Sequence, residues 1–193
     1  MVSYLLRTGG GVCRSQSLDR NVLQEPEMSV LINILIVLGT FVMMEGVAWV
    51  AHKHVMHGFM WWAHHDHHNH TPGFFEKNDL FFLIFAIPSA YFFYAGSLNA
   101  DFRLWIGMGI LLYGMGYVFV HDIFIHQRFK WLRRTDNLYF TAIRKAHLVH
   151  HKHLGPEDGE CFGMLWAPPK YFAEARKSLA AKRGTDLHRS TSA

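Results

Sequence analysis

Three long apolar stretches, separated by polar segments, dominate the chain. They cover residues 30–51, 80–98 and 102–120 and are 22, 19 and 19 residues long. An α-helix of 19 residues reaches about 29 Å, which is close to the hydrocarbon thickness of a bilayer. The pattern therefore predicts three membrane-spanning helices, and the short connection Asn99-Ala100-Asp101 predicts a tight hairpin between the second and the third.

The remaining segments are expected to join these spans into an all-α integral membrane bundle with a histidine-rich helical cap. An apolar segment around residues 161–169 is too short to cross a bilayer and would form a re-entrant or interfacial fourth element. Residues 1–27 are polar and aperiodic, so we expect a disordered leader outside the fold. The membrane domain would then cover residues 28–170, and residues 171–193 would form a basic tail.

The composition agrees with a membrane protein. The chain is 50% hydrophobic and only 18% charged, which is too little charge for an ordinary soluble surface. The formal net charge is +4, and 13 of the 19 Lys and Arg residues follow His121. A basic segment beside membrane spans is typical of the cytoplasmic side, so nucleic acid is not an expected partner. The two cysteines, Cys13 and Cys161, support neither a disulfide framework nor a sulfur-ligated metal.

Three spans place residues 52–78 and 121–193 on the same side of the membrane. That side carries the basic residues Arg128, Lys130, Arg133, Arg134, Arg144 and Lys145. Only Arg103 lies at the opposite turn. The positive-inside rule makes the basic side cytoplasmic, as in a multi-pass protein of the bacterial inner membrane.

Ten histidines on that side form two copies of one pattern, H-x4-H followed by H-x2-H-H. The copies consist of His52, His57, His64, His67 and His68, and of His121, His126, His147, His150 and His151. Neutral imidazole is the commonest transition-metal side-chain ligand, and ten of them exceed the four to six positions of one ion. The sequence therefore predicts two metal ions, with His70 and His153 as further candidate ligands.

The spacing within each copy restricts which histidines share a metal. His64 and His67 lie on one helical face with His68 beside them, and the second copy repeats this arrangement. The members of each H-x4-H pair are about 140° apart on an ideal helix. Both can be ligands if the helix ends, widens into a π-bulge or gives one ligand to each metal, and Gly58 after His57 is compatible with an end.

Three carboxylates are candidates for supporting roles. Ligating histidines usually donate their second N–H to a carboxylate or carbonyl, and Asp66 and Asp122 lie inside the clusters. The alternative is that both are solvated carboxylates that balance nearby Lys and Arg residues. Glu45 lies within the first span, about 10 Å from His52 along nearly the same helix face. An ionisable group at that depth indicates either a supporting or substrate-cavity role, or a protonated side chain bonded to a neighbouring helix.

Glycines recur in the third span, at Gly107, Gly109, Gly114 and Gly116. Small residues at such positions allow close helix packing, or they open a slot for a flat, long ligand. No strand precedes them, so the glycines do not form a dinucleotide-binding loop.

An all-nitrogen site at a membrane surface leaves a few chemical interpretations. A zinc site needs three or four ligands rather than ten. A metal transporter needs ligands along a path through the bilayer, and the second and third apolar stretches contain none. A pair of ferrous ions suits imidazole and activates dioxygen for attack on a C–H bond, which at a membrane indicates a lipid substrate. A non-catalytic metal-binding protein is the alternative of another class.

The residues around the histidines resemble a known family. The stretches HKHVMHGFMWWAHHDHH, HDIFIHQRF and AHLVHHKHLGPEDGECFGMLW are similar to those of bacterial beta-carotene hydroxylases, within the fatty acid hydroxylase superfamily of membrane di-iron oxygenases. The resemblance covers residues 28–170, and all ten histidines match motif positions. The histidine pattern identifies the superfamily, and the residues between the histidines carry the carotenoid assignment.

This resemblance implies a non-haem di-iron monooxygenase with dioxygen as co-substrate. Beta-ionone rings would be hydroxylated, from beta-carotene through beta-cryptoxanthin to zeaxanthin, and from ketocarotenoids towards astaxanthin. The chain has no flavin or nicotinamide fingerprint, so a ferredoxin and its reductase are implied electron donors, with the basic surface after His121 as a candidate docking face. The alternative is a hydroxylase or desaturase of another membrane lipid, such as a fatty acid or sterol.

Overall fold

The computed structural model describes residues 16–69, 75–129, 135–155, 157 and 159–191, with side chains described between residues 29 and 185. Within these ranges the regular structure is all helical, which confirms the predicted fold class. The α-helices are α1 Gln16–Val50, α2 Trp61–His68, α3 Leu80–Asn99, α4 Arg103–Tyr117, α5 Leu138–His150 and α6 Pro169–Thr191. Two π-helical segments, Ala51–Phe59 and Val118–Ile125, continue α1 and α4.

Three helical segments are long and apolar enough to cross a membrane, namely Ser29–Phe59, Lys77–Asn99 and Arg103–Ile125. They confirm the three predicted spans. Large apolar side chains cover their outward faces, and Val42 and Ile87, for example, are 70% and 65% exposed. A continuous apolar surface of this kind is stable in contact with lipid, whereas in water it would promote aggregation. The protein is therefore a membrane helical bundle.

The first span begins close to the predicted start of the membrane domain at residue 28. Residues 1–15 of the predicted leader lie outside the described residues. The backbone of residues 16–27 is part of α1, which begins at Gln16. The apolar span within this helix begins at Ser29.

α4 packs against both other spans through glycines. A Cβ on Gly107 would lie 2.8 Å from the backbone nitrogen of Phe93 in α3, and a Cβ on Gly109 would lie 2.6 Å from Cβ of Thr40 in α1. Both positions therefore need glycine for close helix packing. Gly114 differs, because a Cβ there would meet no atom within 4 Å.

The connection between α3 and α4 is the predicted tight hairpin. Ala100 has a φ of 52°, a left-handed conformation that ends α3. Asp101 accepts hydrogen bonds from the backbone N–H and the guanidinium of Arg103, at 3.0 and 2.6 Å. Since the two helices form a hairpin, this turn lies at the end of the spans away from the histidine segments.

A hydrophobic core joins the second π-helical segment, Val118–Ile125, to α5 and α6. Its buried members are Val120, Phe124, Ala142, Ile143, Ala146, Ala167, Tyr171 and Ala175. The segment predicted as a basic tail, residues 171–193, thus begins with side chains that pack against α5.

The short apolar segment before α6 has irregular backbone and reaches into the spans. Its Met164 packs in a cluster with Met44, Ala48, Ile110 and Tyr113, between α1 and α4. The same segment lies beside the histidines and contacts His52 and His150.

Candidate metal centre

The histidines of both copies converge at one end of the spans. Within the described residues, two groups of side chains have ligand atoms within 4.8 Å of one another. The first group is His52, His57, His64, His68 and His150, and the second is His67, His121, His126 and His147. His151 lies beside the second group, with its Nε2 2.8 Å from Nε2 of His147. The fold thus brings all ten histidines of the pattern to two neighbouring positions.

The two groups do not follow the two sequence copies. His150, from the second copy, joins the first group, where its Nε2 is 3.1 Å from Nε2 of His57. His67, from the first copy, joins the second group, where its Nε2 is 3.1 Å from Nε2 of His121. Each H-x2-H-H segment therefore divides its histidines between both positions, which links α2 and α5 through the site.

The two π-helical segments explain how histidines five residues apart reach one position. These segments form i→i+5 hydrogen bonds, such as the 2.9 Å bond from the backbone N–H of His126 to the carbonyl of His121. A π-helical turn places residues i and i+5 one above the other instead of on divergent faces. His52 and His57 consequently share the first group, and His121 and His126 share the second.

Hydrogen bonds at the outer ring nitrogens leave the inner nitrogens without protons. His52 Nδ1 donates to the carbonyl oxygen of Phe162 at 3.0 Å, and His64 Nδ1 donates to Oδ1 of Asn78 at 2.7 Å. Since both acceptors lack hydrogen, each neutral ring carries its proton on Nδ1. The two Nε2 atoms lie 3.1 Å apart and therefore present lone pairs to each other.

A second pair in the first group has the same arrangement. His57 Nδ1 donates to the carbonyl of Leu154 at 2.9 Å, and His150 Nδ1 donates to the carbonyl of Glu160 at 3.1 Å. Their Nε2 atoms again face each other as acceptors. Three backbone carbonyls of the segment between α5 and α6 thus fix the orientation of three rings.

The second group uses carboxylates for the same purpose. His67 Nδ1 donates to Glu76 at 3.0 Å, and His121 Nδ1 donates to Asp122 at 2.7 Å. A carboxylate that accepts a hydrogen bond from Nδ1 raises the basicity of Nε2 in the same ring, which is the atom that would bind a metal. Converging lone pairs repel each other unless a cation lies between them, so the arrangement in both groups fits metal ions.

Protonation of the histidine rings does not supply the positive charge that these lone pairs need. Burial, followed by repulsion from neighbouring rings, lowers the pKa of His64 and of His150 to about 2. The same two causes lower the pKa of His68 to about 3 and the pKa of His151 to about 4. These rings are therefore neutral at physiological pH, the form in which imidazole binds a metal.

The spacing of the nitrogens is compatible with metal binding. Neighbouring Nε2 atoms lie 2.8–3.2 Å apart in both groups. Nitrogens that bind one metal ion with bonds of about 2.1 Å lie at about this separation.

The structure places the other predicted site residues in different surroundings. Asp122 accepts a hydrogen bond from His121 of the second group. Asp66 instead accepts a hydrogen bond from the backbone N–H of Lys77 at 2.9 Å and thereby holds the segment after α2. His153 belongs to neither group, and His70 lies outside the described residues.

Glu76 and Asn78, which accept hydrogen bonds from His67 and His64, were not predicted from the sequence. They lie in a polar run, residues 76–79, directly before α3. Four polar residues at the membrane end of a span, on the side of the histidines, were the available signal. Nothing in their spacing, however, indicates which ring each residue contacts.

Glu45 acts as an anchor rather than as a partner of a histidine. Its carboxylate accepts hydrogen bonds from the backbone N–H groups of Met164, Leu165 and Trp166, at 3.0 Å, and from the hydroxyl of Tyr113, at 2.8 Å. A Cβ on Gly163 would lie 2.7 Å from Oε1, so this close approach needs glycine. The anchored segment contains Phe162, whose carbonyl orients His52.

We expect Glu45→Gln to weaken metal binding without removing a ligand. A glutamine side chain has one acceptor oxygen and one NH₂ group, and this NH₂ group would face backbone N–H groups that also donate. The segment that carries the Phe162 carbonyl would therefore be held less firmly. Loss of an outer partner typically lowers metal affinity by about 10–100-fold. Competition with a chelator measures this affinity. Glu174→Gln, on the exposed face of α6, is the control, and equal metal retention in both variants would contradict the anchoring role.

An apolar cavity of about 850 Å³ adjoins the histidines. Met56, Phe81 and Tyr117 line its end near the two groups. The ring of Phe81 lies 6.1 Å from that of His64, and the ring of Tyr117 stacks on His121 at 4.8 Å between centroids. The cavity therefore approaches both groups through one layer of side chains.

Comparison with known proteins gives close relatives. The chain is 40% identical over 156 residues to the beta-carotene hydroxylase of Pantoea ananas, which covers 79% of this chain and 88% of that protein. It is 36% identical over 143 residues to a beta-carotene hydroxylase of a Paracoccus species, covering 71% and 85%. A chloroplastic beta-carotene 3-hydroxylase of Gentiana lutea is 34% identical over 67% of this chain and 43% of its own length. No family model matches the chain, and no solved structure matches it significantly.

Proposed function

Because the chain belongs to the beta-carotene hydroxylase family, we propose that it is a membrane oxidoreductase that hydroxylates carotenoids. The products would be beta-cryptoxanthin and then zeaxanthin from beta-carotene, and astaxanthin from ketocarotenoids. The carotenoid assignment rests on the relatives. The chemistry rests on the histidines.

The observation that carries the proposed chemistry is the convergence of Nε2 atoms at two adjacent positions, with six of the rings carrying their proton on the outer Nδ1. Imidazole suits iron, and five nitrogens at the first position and four at the second, with His151 beside them, exceed what a catalytic tetrahedral zinc site with three protein ligands uses. We therefore assign these ten histidines to a non-haem di-iron centre. When bound, two ferrous ions would supply the electrons and the open positions that dioxygen activation needs.

The residues of the chain perform the remaining tasks. The carbonyls of Leu154, Glu160 and Phe162 and the carboxylates of Glu76 and Asp122 keep the rings oriented, with the ring proton on Nδ1. The apolar wall of Phe81 and Tyr117 keeps bulk water away from the substrate side of the site. Exclusion of water favours attack on the substrate over side reactions.

Hydroxylation consumes two electrons and two protons for each dioxygen, because one oxygen atom enters the C–H bond and the other leaves as water. The two electrons for each cycle must come from an external donor. We assign this task to a ferredoxin and its reductase, since the chain has no flavin or nicotinamide motif. The basic segment after His121 is the candidate docking region for such an acidic protein.

We assign the histidine end of the spans to the cytoplasmic side of the bacterial inner membrane. Most of the basic residues follow the third span, and the hairpin turn at the other end carries only Arg103. This asymmetry supports the orientation. Ferredoxins and their reductases would have access to the site from that side.

Expression of the chain in bacteria that make beta-carotene tests the substrate. We expect hydroxylated rings, with beta-cryptoxanthin appearing before zeaxanthin, because one end of the molecule occupies the site at a time. Chromatography of extracted pigments over time measures both products. Cells carrying His150→Ala are the control. A ketone product would favour ketolase chemistry, and unchanged pigment beside hydroxylated fatty acids would favour a different lipid hydroxylase.

A further inference from the structure

The apolar cavity is a long groove that follows one face of α3. Its α3 residues include Phe81, Phe85, Ser89, Phe93 and Ser97, which recur every four positions. Sixteen residues of helix separate the two ends, so the groove extends about 24 Å along the span. This length covers most of the hydrocarbon thickness of a bilayer.

The groove is open towards lipid and closed towards the helix bundle. Its inner wall contains Ile110 and Tyr113, which are buried, whereas Phe82, Tyr94 and Met115 at its rim are at least half exposed. An exposed rim on a membrane span faces acyl chains, so a ligand can enter sideways from the bilayer. The wall is almost entirely apolar and offers few groups that could bind a polar ligand.

Gly114 gives the groove its depth. It lies in the wall formed by α4, and a Cβ there would meet no atom within 4 Å. Packing therefore does not explain this glycine, in contrast to Gly107 and Gly109, whose Cβ positions collide with α3 and α1. The missing side chain leaves room inside the groove for a flat ligand.

We propose that this groove is the binding site of the carotenoid, with Gly114 as the position that admits its polyene chain. The ring to be hydroxylated lies at the end formed by Met56, Phe81 and Tyr117, next to both histidine groups. The chain runs along α3 and α4 towards Tyr94 and Ser97. This assignment rests on the proposed function, and it adds the place, the direction of entry and the residue that controls access.

Gly114→Phe tests the assignment, because its ring would occupy the groove without contacting a histidine. We expect the rate of beta-carotene hydroxylation to fall at least tenfold, while the iron content per chain stays unchanged. Carotenoid that copurifies with the protein in mild detergent should fall in parallel. Gly46→Phe is the matched control, since Gly46 is exposed on α1, lies outside the groove and also has no atom within 4 Å of its Cβ position.

A second pair of variants approaches the groove from α3. Ala90→Phe narrows it from an exposed position, and Ile87→Phe lies three residues earlier on the same helix but outside the lining. We expect the first variant to lose activity and bound carotenoid and the second to keep both. If Gly114→Phe does not accumulate in membranes, this pair decides the question.

The outcomes separate the groove from the proposed function. Wild-type rates in both Gly114→Phe and Ala90→Phe, with hydroxylated products, would overturn the groove and leave the function intact. Absence of hydroxylated carotenoid with the unmodified chain would overturn the function itself. Equal carotenoid retention by all four variants would also overturn the groove, which would then hold acyl chains of the bilayer only.

Discussion

Alanine at His64 is expected to abolish hydroxylation and to reduce the amount of iron bound. His64 is 1% exposed, and its Nε2 lies 3.1 Å from that of His52 and 3.2 Å from that of His68. Its removal would delete a proposed ligand, so the loss should exceed the factor of about 10–100 that is typical when a hydrogen-bond partner of a ligand is removed. Pigment analysis and iron content of the purified protein measure the two effects.

His65→Ala provides a matched control one residue away. The His65 ring is exposed and bonds Asn69 at 3.0 Å instead of facing either group. We expect this variant to keep both its iron and its activity. A comparable loss in the two variants would mean that the grouping of the histidines does not determine ligation.

Removal of the metal should eliminate activity completely, and ferrous iron alone should restore it. Ten histidines at two positions predict about two iron ions per chain after anaerobic reloading. Zinc should bind the same rings and give an inactive protein, because zinc has no redox chemistry. Metal analysis of the reloaded protein, followed by pigment assays with an added ferredoxin system, measures both quantities.

Two results would contradict the di-iron proposal. One is full activity of a protein that holds a single metal ion per chain, and the other is turnover supported by zinc. The His65→Ala protein, treated with the same chelator and reloaded, controls for damage during stripping. Its recovery should equal that of the unmodified chain.

The number of spans and the location of the histidines followed from the sequence alone. Both depend on local properties, since an apolar run of 19 residues forms a helix long enough to cross a bilayer whatever its neighbours are. Three spans then place every histidine of the pattern on one side. The pattern H-x4-H with H-x2-H-H also selected the ten residues that converge, because their chemistry has few other uses.

The partners of those histidines were decided by tertiary structure. The sequence spacing placed His64 and His67 on one helical face, whereas the fold brings His64 into the first group and His67 into the second. Ring orientation depends on carbonyls from a segment about 100 residues away along the chain from His52 and His57. A backbone carbonyl has no sequence signature, so no pattern could have indicated it.

The same distinction applies to Glu45 and Gly114. Both features were noticeable in the sequence, since a carboxylate within a span and recurring glycines in a span each require an explanation. Two explanations were open for each of them. The sequence by itself determined which helices form and which chemistry they carry, because periodicity and residue type are local. The packing of α1, α4 and the segment before α6 decided that Glu45 is an anchor and Gly114 an open position, because only distances between elements distinguish these roles.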